Sequence, residues 1–346
     1  MAALIDGAAI DGEAISERLM DLAEANSSKV RAYWAATRRG CGIPDAAYRG
    51  DGLFHFDRSH IVRSFRSSGT SGRTAGYAHY SPRGLDLLDR SILASGARIG
   101  FEGLDRPTVI RLVPDTDAAP HGIMSYGMAL LSRHFGDASS SACVIGEHGV
   151  DEALLRRRLG AAIAEQRPVV LIGGSFALAN LCDRLEVVGE SWVLPPHSRI
   201  IDAGGFKGRS RHLDVDTLRQ ALTDRFGVDG AAFLNIYGMT ELASQLYETA
   251  SLTGRDEHVK SPTPYVAGRI RDPGTFDLKA AGAGLLEVVD LCIIDRPHVV
   301  LTGDWGYASP HGVAIAGRVP GSVSRGCALT HESPATLDAS PEVNHD

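Results

Sequence analysis

Lysine is scarce in this sequence. Lys29, Lys207, Lys260 and Lys279 are the only ones among 35 basic residues, and arginine supplies the rest. Chemistry that needs a lysine therefore has few candidates. An excess of basic charge is also missing: 42 acidic residues against those 35 give a formal net charge of −7. That balance argues against a nucleic-acid partner and against a polybasic membrane surface. The five cysteines, Cys41, Cys143, Cys182, Cys292 and Cys327, lie far apart without paired spacing. Such a set reads as reduced thiols rather than disulfides or a zinc knuckle. Aromatic residues make up 6% of the chain, which neither supports nor excludes an aryl ligand. No run is long and apolar enough to span a bilayer, and residues 1–11 lack a basic-then-apolar signal pattern. The expectation is a soluble, cytoplasmic protein.

What is present suits a globular fold. Of 346 residues, 44% are hydrophobic and 22% charged, enough for a sizeable core. Residues 1–60 read as an amphipathic helix, with Leu19, Leu22 and Ala23 at helical spacing, followed by a loop rich in glycine. Beyond that, short β-branched runs alternate with helical patterns. Strands are expected at 109–113, 142–145, 169–172, 199–202, 232–236, 285–289, 299–301 and 313–316, and helices at 151–166, 175–185 and 214–225. The alternation predicts an α/β fold with mostly parallel sheets and flanking helices over 61–261. From about residue 262 to 317 the helices thin out into a smaller β-rich section. Residues 318–346 form a short remnant ending in a polar, aperiodic tail.

Several short stretches carry polar groups suited to ligand chemistry. Residues 67–74, Ser-Ser-Gly-Thr-Ser-Gly-Arg-Thr, could wrap phosphate oxygens with backbone N–H groups and hydroxyls, or form a surface linker. They do not end in the Gly-Lys-Ser/Thr of a Walker loop. In 235–241, an apolar run enters Tyr237-Gly238, then Met239, Thr240 and Glu241. Thr240 and Glu241 could hold Mg²⁺ against phosphates, or simply begin a helix. Asp304, after Leu301-Thr302-Gly303, could accept ribose hydroxyls or belong to a turn. Arg318 after Gly317 could pair with a phosphate or ribose, or lie on the surface. Gly173-Gly174-Ser175-Phe176-Ala177 lacks the second flanking glycine of a nucleophile elbow and reads as a strand-to-helix turn.

The order of these pieces resembles that of adenylate-forming enzymes: acyl-CoA synthetases, phenylacetate–CoA ligases and carrier-loading adenylation domains. More closely, residues 121–127, 201–210 and 317–330 resemble the LuxE-like acyl-protein synthetases of bacterial luciferase operons. The resemblance spans roughly residues 54–331. It implies an adenylation core over 1–317 and a C-terminal lid domain that is absent or vestigial here. It implies ATP and Mg²⁺ as cofactors. Ser68, Gly69, Thr70, Ser71 and Gly72 would wrap the β- and γ-phosphates, and Tyr237 with Gly238 would flank the adenine. Thr240 would meet the α-phosphate, Glu241 would hold Mg²⁺, and Asp304 with Arg318 would grip the ribose. Gly204 and Gly205 would lie by the adenine and the substrate carboxylate.

The sequence also departs from that pattern. The C-terminal lysine that assists adenylation in full-length relatives has no counterpart beyond Lys279, so Lys207 becomes the expected cation. The phosphate loop ends in Arg73-Thr74-Ala75 instead of Pro-Lys. In the acyl-protein synthetase branch the acyl group passes to a cysteine near the C-terminus. Cys327, beside Arg325, matches that neighbourhood, and the arginine would favour its thiolate. The expected function is ATP-dependent activation of a carboxylic acid, then acyl transfer to a thiol through Cys327. The onward partner would be a reductase, a carrier protein or coenzyme A. A ligase that transfers directly to coenzyme A or a carrier is the alternative among enzymes. A non-catalytic nucleotide-binding or scaffold protein is the alternative from another class.

Overall fold

A computed structural model describes residues 1–50, 53–67, 75–146, 149–204, 214–248 and 258–318. Its centre is one large mixed sheet. The labelled strands, in chain order, are β1 (Thr108–Leu112), β2 (Ala142–Cys143), β3 (Val169–Gly174), β4 (Arg199–Ala203), β5 (Phe233–Tyr237), β6 (Leu246–Glu248), β7 (Val259–Ser261), β8 (Val266–Arg271), β9 (Leu278–Lys279), β10 (Gly282–Asp290), β11 (Val299–Ser309) and β12 (Gly312–Arg318). They lie in the order β9-β8-β10-β11-β12-β7-β6-β5-β4-β3-β1-β2, with a short strand at Ile43–Pro44 paired to β11. From β2 through β5 the pairings are parallel. From β5 through β9 they are antiparallel. The alternating pattern thus marks the parallel half, and the helix-poor section forms most of the antiparallel half.

The parallel half is covered on both faces. Along β3 every residue is buried, as expected of a strand with helices above and below. Val170 and Ile172 face one core, shared with the helices α1 (Pro82–Ser95) and α2 (Ile123–Phe135). Val169 and Leu171 face the other, with α3 (Glu152–Ala164), α4 (Ser175–Val187) and α5 (Val215–Phe226). Caps fix where these helices start. Asp151 accepts from the Leu154 N–H at 2.8 Å and Asp214 from the Thr217 N–H at 2.8 Å. Ser81 accepts from the Gly84 N–H at 3.1 Å, with Pro82 opening the helix. Gly227 ends α5 in the left-handed region at φ 62°.

A separate hairpin pairs Arg63–Arg66 with Tyr77–Tyr80. Its neck is tied by the Ser67 N–H to the Gly76 carbonyl at 2.9 Å and by the Gly76 N–H to the Ser67 hydroxyl at 2.8 Å. The N-terminal helix Gly12–Asn26 packs on the antiparallel half, where Ser16 Oγ meets His298 Nε2 at 2.8 Å. Among the described residues no helix is long and apolar enough to cross a membrane.

Burial holds His298 neutral, with its pKa pushed down to about 3, and Arg269 and His55 add to the shift. An unfolded histidine titrates near 6.5. The folded protein therefore binds fewer protons between those values, and stability falls as pH drops below about 6.5. By pH 5 this single group should have cost about 2 kcal/mol. Urea unfolding between pH 7 and 4.5 checks this: His298→Gln should show a shallower decline than wild type.

Candidate functional site

Of the residues singled out from sequence, Tyr237, Asp304 and Arg318 come together where the parallel half meets the antiparallel half. Tyr237 ends β5, and its hydroxyl donates to Asp304 Oδ2 at 2.8 Å. Asp304 lies within β11, so Thr302-Gly303-Asp304 is part of a strand and not a turn. Asp304 stands opposite Arg318 in the β11–β12 register. Arg318 Nε lies 3.4 Å from Asp304 Oδ1, and its other end donates to Asp45 Oδ2 at 3.3 Å. Gly303 leaves the room this requires, because a Cβ there would collide with the Arg318 guanidinium.

Charge and burial reinforce one another in this group. Asp304 is 5% exposed and Asp45 8%. Burial works against the Arg318 charge, but the Asp304 and Asp45 carboxylates outweigh it and raise its pKa. Burial, together with the Asp304 carboxylate, pushes the Tyr237 phenol well above its ordinary value, so it remains a hydrogen-bond donor.

Thr240 and Glu241 are buried in a turn that leaves β5 and returns as β6, where Tyr237 pairs with Leu246. No helix begins there, although a threonine followed by an acid resembles a helix start. The turn is held from outside. Asp290 accepts from the Ala243 N–H at 2.8 Å, the Ser244 N–H at 2.6 Å and the Ser244 hydroxyl at 2.8 Å. Ser91 donates to the Ala243 carbonyl at 2.8 Å and Tyr80 to the Leu242 carbonyl at 3.1 Å. Arg296 Nε donates to the Glu241 carbonyl at 3.1 Å. Glu241 Oε1 would lie 3.5 Å from a Cβ at Gly76, so the carboxylate borders the neck of the hairpin loop. Tyr48, fully buried, feels both Glu241 and Asp45 and thereby links the two groups; burial, chiefly, raises its pKa.

Gly204, at the end of β4, has φ 84°, a conformation glycine adopts without strain, and its N–H donates to the Ile236 carbonyl at 3.3 Å. A Cβ on Gly204 or Gly174 would stand 3.9 Å from the Met124 side chain, so α2 closes over both strand ends. Beneath them Asp202 Oδ2 accepts from the Ser175 hydroxyl and the Asn235 amide, each at 2.7 Å. Ser175 is the first residue of α4 and is buried, as a strand-to-helix turn requires. Gly238 follows Tyr237, with a Cβ there 3.5 Å from Gln245 Cγ. His121 meets the hairpin twice: its ring Nδ1–H donates to the Ser64 carbonyl at 3.1 Å, and its own carbonyl accepts from the Arg66 N–H at 2.9 Å.

Ser68, Gly69, Thr70, Ser71, Gly72, Gly205, Lys207 and Cys327 lie outside the described residues. Lys260, by contrast, is buried against Glu248 at 3.5 Å and the Asn235 carbonyl at 3.3 Å. Asp45, Tyr48 and Arg296 join the site without having stood out in the sequence. The one local signal for Asp45 is the preceding Ile43-Pro44, which gives a short strand beside β11.

Because Asp45 holds Arg318, Asp45→Asn should destabilise the folded protein by about 1.5–3 kcal/mol, the range for hydrogen bonds to charged groups. In an Arg318→Met background the same change should cost much less. A double-mutant cycle by chemical denaturation measures that difference.

No protein-family model matches the sequence, and no curated protein matches it. Solved structures do match. The ATP-bound MatB of Rhodopseudomonas palustris aligns with 77% of this chain and 49% of its own, at 20% identity and TM-score 0.51. A long-chain-fatty-acid–CoA ligase, FadD1 of Archaeoglobus fulgidus, aligns with 75% of this chain and 52% of its own, at 12% identity and TM-score 0.53. McyG, an adenylation–carrier pair complexed with phenylalanyl-adenylate, aligns with 76% of this chain and 42% of its own, at 16% identity and TM-score 0.52. The chain spans about half the length of the structures it matches. Over about three quarters of its residues it shares the mixed α/β fold of these three structures.

Proposed function

We propose that this chain activates a carboxylic acid with ATP, forming an acyl-adenylate and pyrophosphate, and passes the acyl group to a thiol. The observation that carries this reading is convergence. Tyr237 on β5 is joined by a hydrogen bond to Asp304 on β11, which in turn pairs with Arg318 on β12, and Glu241 stands beside Gly76. The fold shared with acid-activating enzymes agrees with it.

The chemistry suits these groups. A carboxylate oxygen attacks the α-phosphorus of ATP and pyrophosphate leaves; a thiolate then attacks the acyl carbon and AMP leaves. Asp304, oriented by Tyr237 and Arg318, would accept from the ribose hydroxyls. The Tyr237 and Gly238 turn would flank the adenine, Thr240 would meet the α-phosphate, and residues 68–72 would wrap the outer phosphates. Gly204 and Gly205 would border the adenine and the acid, with Lys207 as the cation between acid and triphosphate. Glu241 would hold Mg²⁺ together with the nucleotide itself, since Mg²⁺ is commonly bound through one or two carboxylates plus substrate phosphates. Such an ion would neutralise phosphate charge as the acid approaches. Cys327 would carry the acyl group as a thioester, as in acyl-protein synthetases, before transfer to a reductase, carrier or coenzyme A.

ATP–pyrophosphate exchange over a broad carboxylic-acid panel, with hydroxylamine trapping, tests the reading. Acid-dependent exchange is the expected result, and ADP-forming turnover would overturn it. Asp304→Ala should weaken ATP binding by about 1.5–3 kcal/mol, roughly ten- to a hundredfold in Kd. An unchanged Kd in a folded variant would remove Asp304 from the nucleotide site.

The covalent step has its own test. Incubation with ATP and an accepted radiolabelled acid should leave label that survives denaturation and is released by neutral hydroxylamine. Cys327→Ser should abolish that label while preserving exchange. If the variant still passes acyl groups to coenzyme A or a carrier at the wild-type rate, direct transfer replaces the thioester.

A further inference from the structure

Among the described residues Arg296 is the largest fully buried side chain, at 1% exposure. Among the described residues its hydrogen bonds go to neutral oxygens: the Glu241 carbonyl at 3.1 Å, the Tyr80 hydroxyl at 2.7 Å and the His79 carbonyl at 3.4 Å. Its guanidinium also lies over the Tyr80 ring, 4.5 Å from the centroid. Removing such a charge from water is costly, so its position calls for an explanation beyond filling space.

The arrangement around Glu241 supplies one. Tyr80 ends the strand Tyr77–Tyr80, and Gly76, just before that strand, closes the loop neck. Arg296 and Tyr80 hold the carbonyls of Glu241 and Leu242 at the far end of this strand. The Glu241 carboxylate lies at its near end, beside Gly76. The adjacent Asp295 fixes the same end of the strand, accepting from the Ser81 N–H at 2.8 Å and the Ser81 hydroxyl at 2.7 Å. One short extended segment is thus clamped against the Glu241 turn at one end and bordered by the Glu241 carboxylate at the other.

We propose that Arg296 is a positioning residue for a divalent metal–nucleoside triphosphate: directly and through Tyr80 it sets the placement of the Glu241 carboxylate beside Gly76. The proposal rests on the nucleotide-binding reading above and adds a residue that touches neither metal nor phosphate. A merely structural role would lower stability and leave the metal's contribution to nucleotide binding intact. A positioning role changes that contribution specifically.

The experiment measures ATP binding by calorimetry, with Mn²⁺ and with EDTA, in wild type, Arg296→Lys and Tyr80→Phe. Bound Mn²⁺ is followed in parallel by electron paramagnetic resonance. Tyr80→Phe keeps the ring and removes only the hydroxyl, so it decides the question if Arg296→Lys does not fold. Expected is a rise of about fivefold in the Kd for Mn²⁺–ATP in Tyr80→Phe, the loss of about one hydrogen bond. Metal-free ATP binding should stay within about twofold. Arg296→Lys, if folded, should lose at least as much. If the folded variants retain the wild-type gain from metal, the positioning role is wrong. If wild type binds no ATP under either condition, the nucleotide-binding reading fails instead, and the proposal with it.

Discussion

The chain between β5 and β6 must reverse direction without a helix, and much of the site follows from that. A buried reversal leaves backbone N–H and C=O groups with no ladder partners, and each unsatisfied one is costly. Here side chains from elsewhere supply the partners: Asp290 from the end of β10, Ser91 from α1, Tyr80 from the hairpin and Arg296 from the connection before β11. The turn that carries Glu241 is therefore held by side chains from three distant parts of the chain: residues 80, 91 and 290–296.

The same reversal marks the seam of the sheet. On one side lie parallel strands whose carboxyl ends carry Gly174, Gly204 and Tyr237, where open α/β sheets place ligands. On the other side antiparallel strands carry Asp304 and Arg318 directly opposite each other. Neither half contains the whole group. The Tyr237 hydroxyl joins them, and Asp45 on the short N-terminal segment closes the group from below.

Much of the parallel half was legible because its signals are local. The run Val169–Gly174 is apolar throughout, and the capping aspartates at 151 and 214 precede clear helical patterns. The hairpin Arg63–Arg66 with Tyr77–Tyr80 was not, because its arginines, tyrosines and histidine give no clean alternation. The motif residues Tyr237, Asp304 and Arg318 could be picked out by type and order, but not the contacts that orient them. Arg318 and Asp45 stand 273 positions apart, and Arg296 and Tyr80 stand 216 apart. Such pairings are set by packing, which leaves no periodic trace in the sequence.

Scarcity of lysine acquires a physical meaning at this point. Two carboxylates, Asp45 and Asp304, share the Arg318 guanidinium, and Glu241 adds a third carboxylate close by. A triphosphate entering a partly desolvated site of that sign meets repulsion that grows as water is excluded. Lys260 cannot relieve it, since it is buried against Glu248, and burial lowers its pKa. On the proposed reading a divalent ion arriving with the nucleotide would add to the positive charge already supplied by Arg318 and Arg296. The placement of Glu241 is then more than a packing detail. On that reading it would set the distance at which an ion carried by the phosphates meets the Glu241 carboxylate.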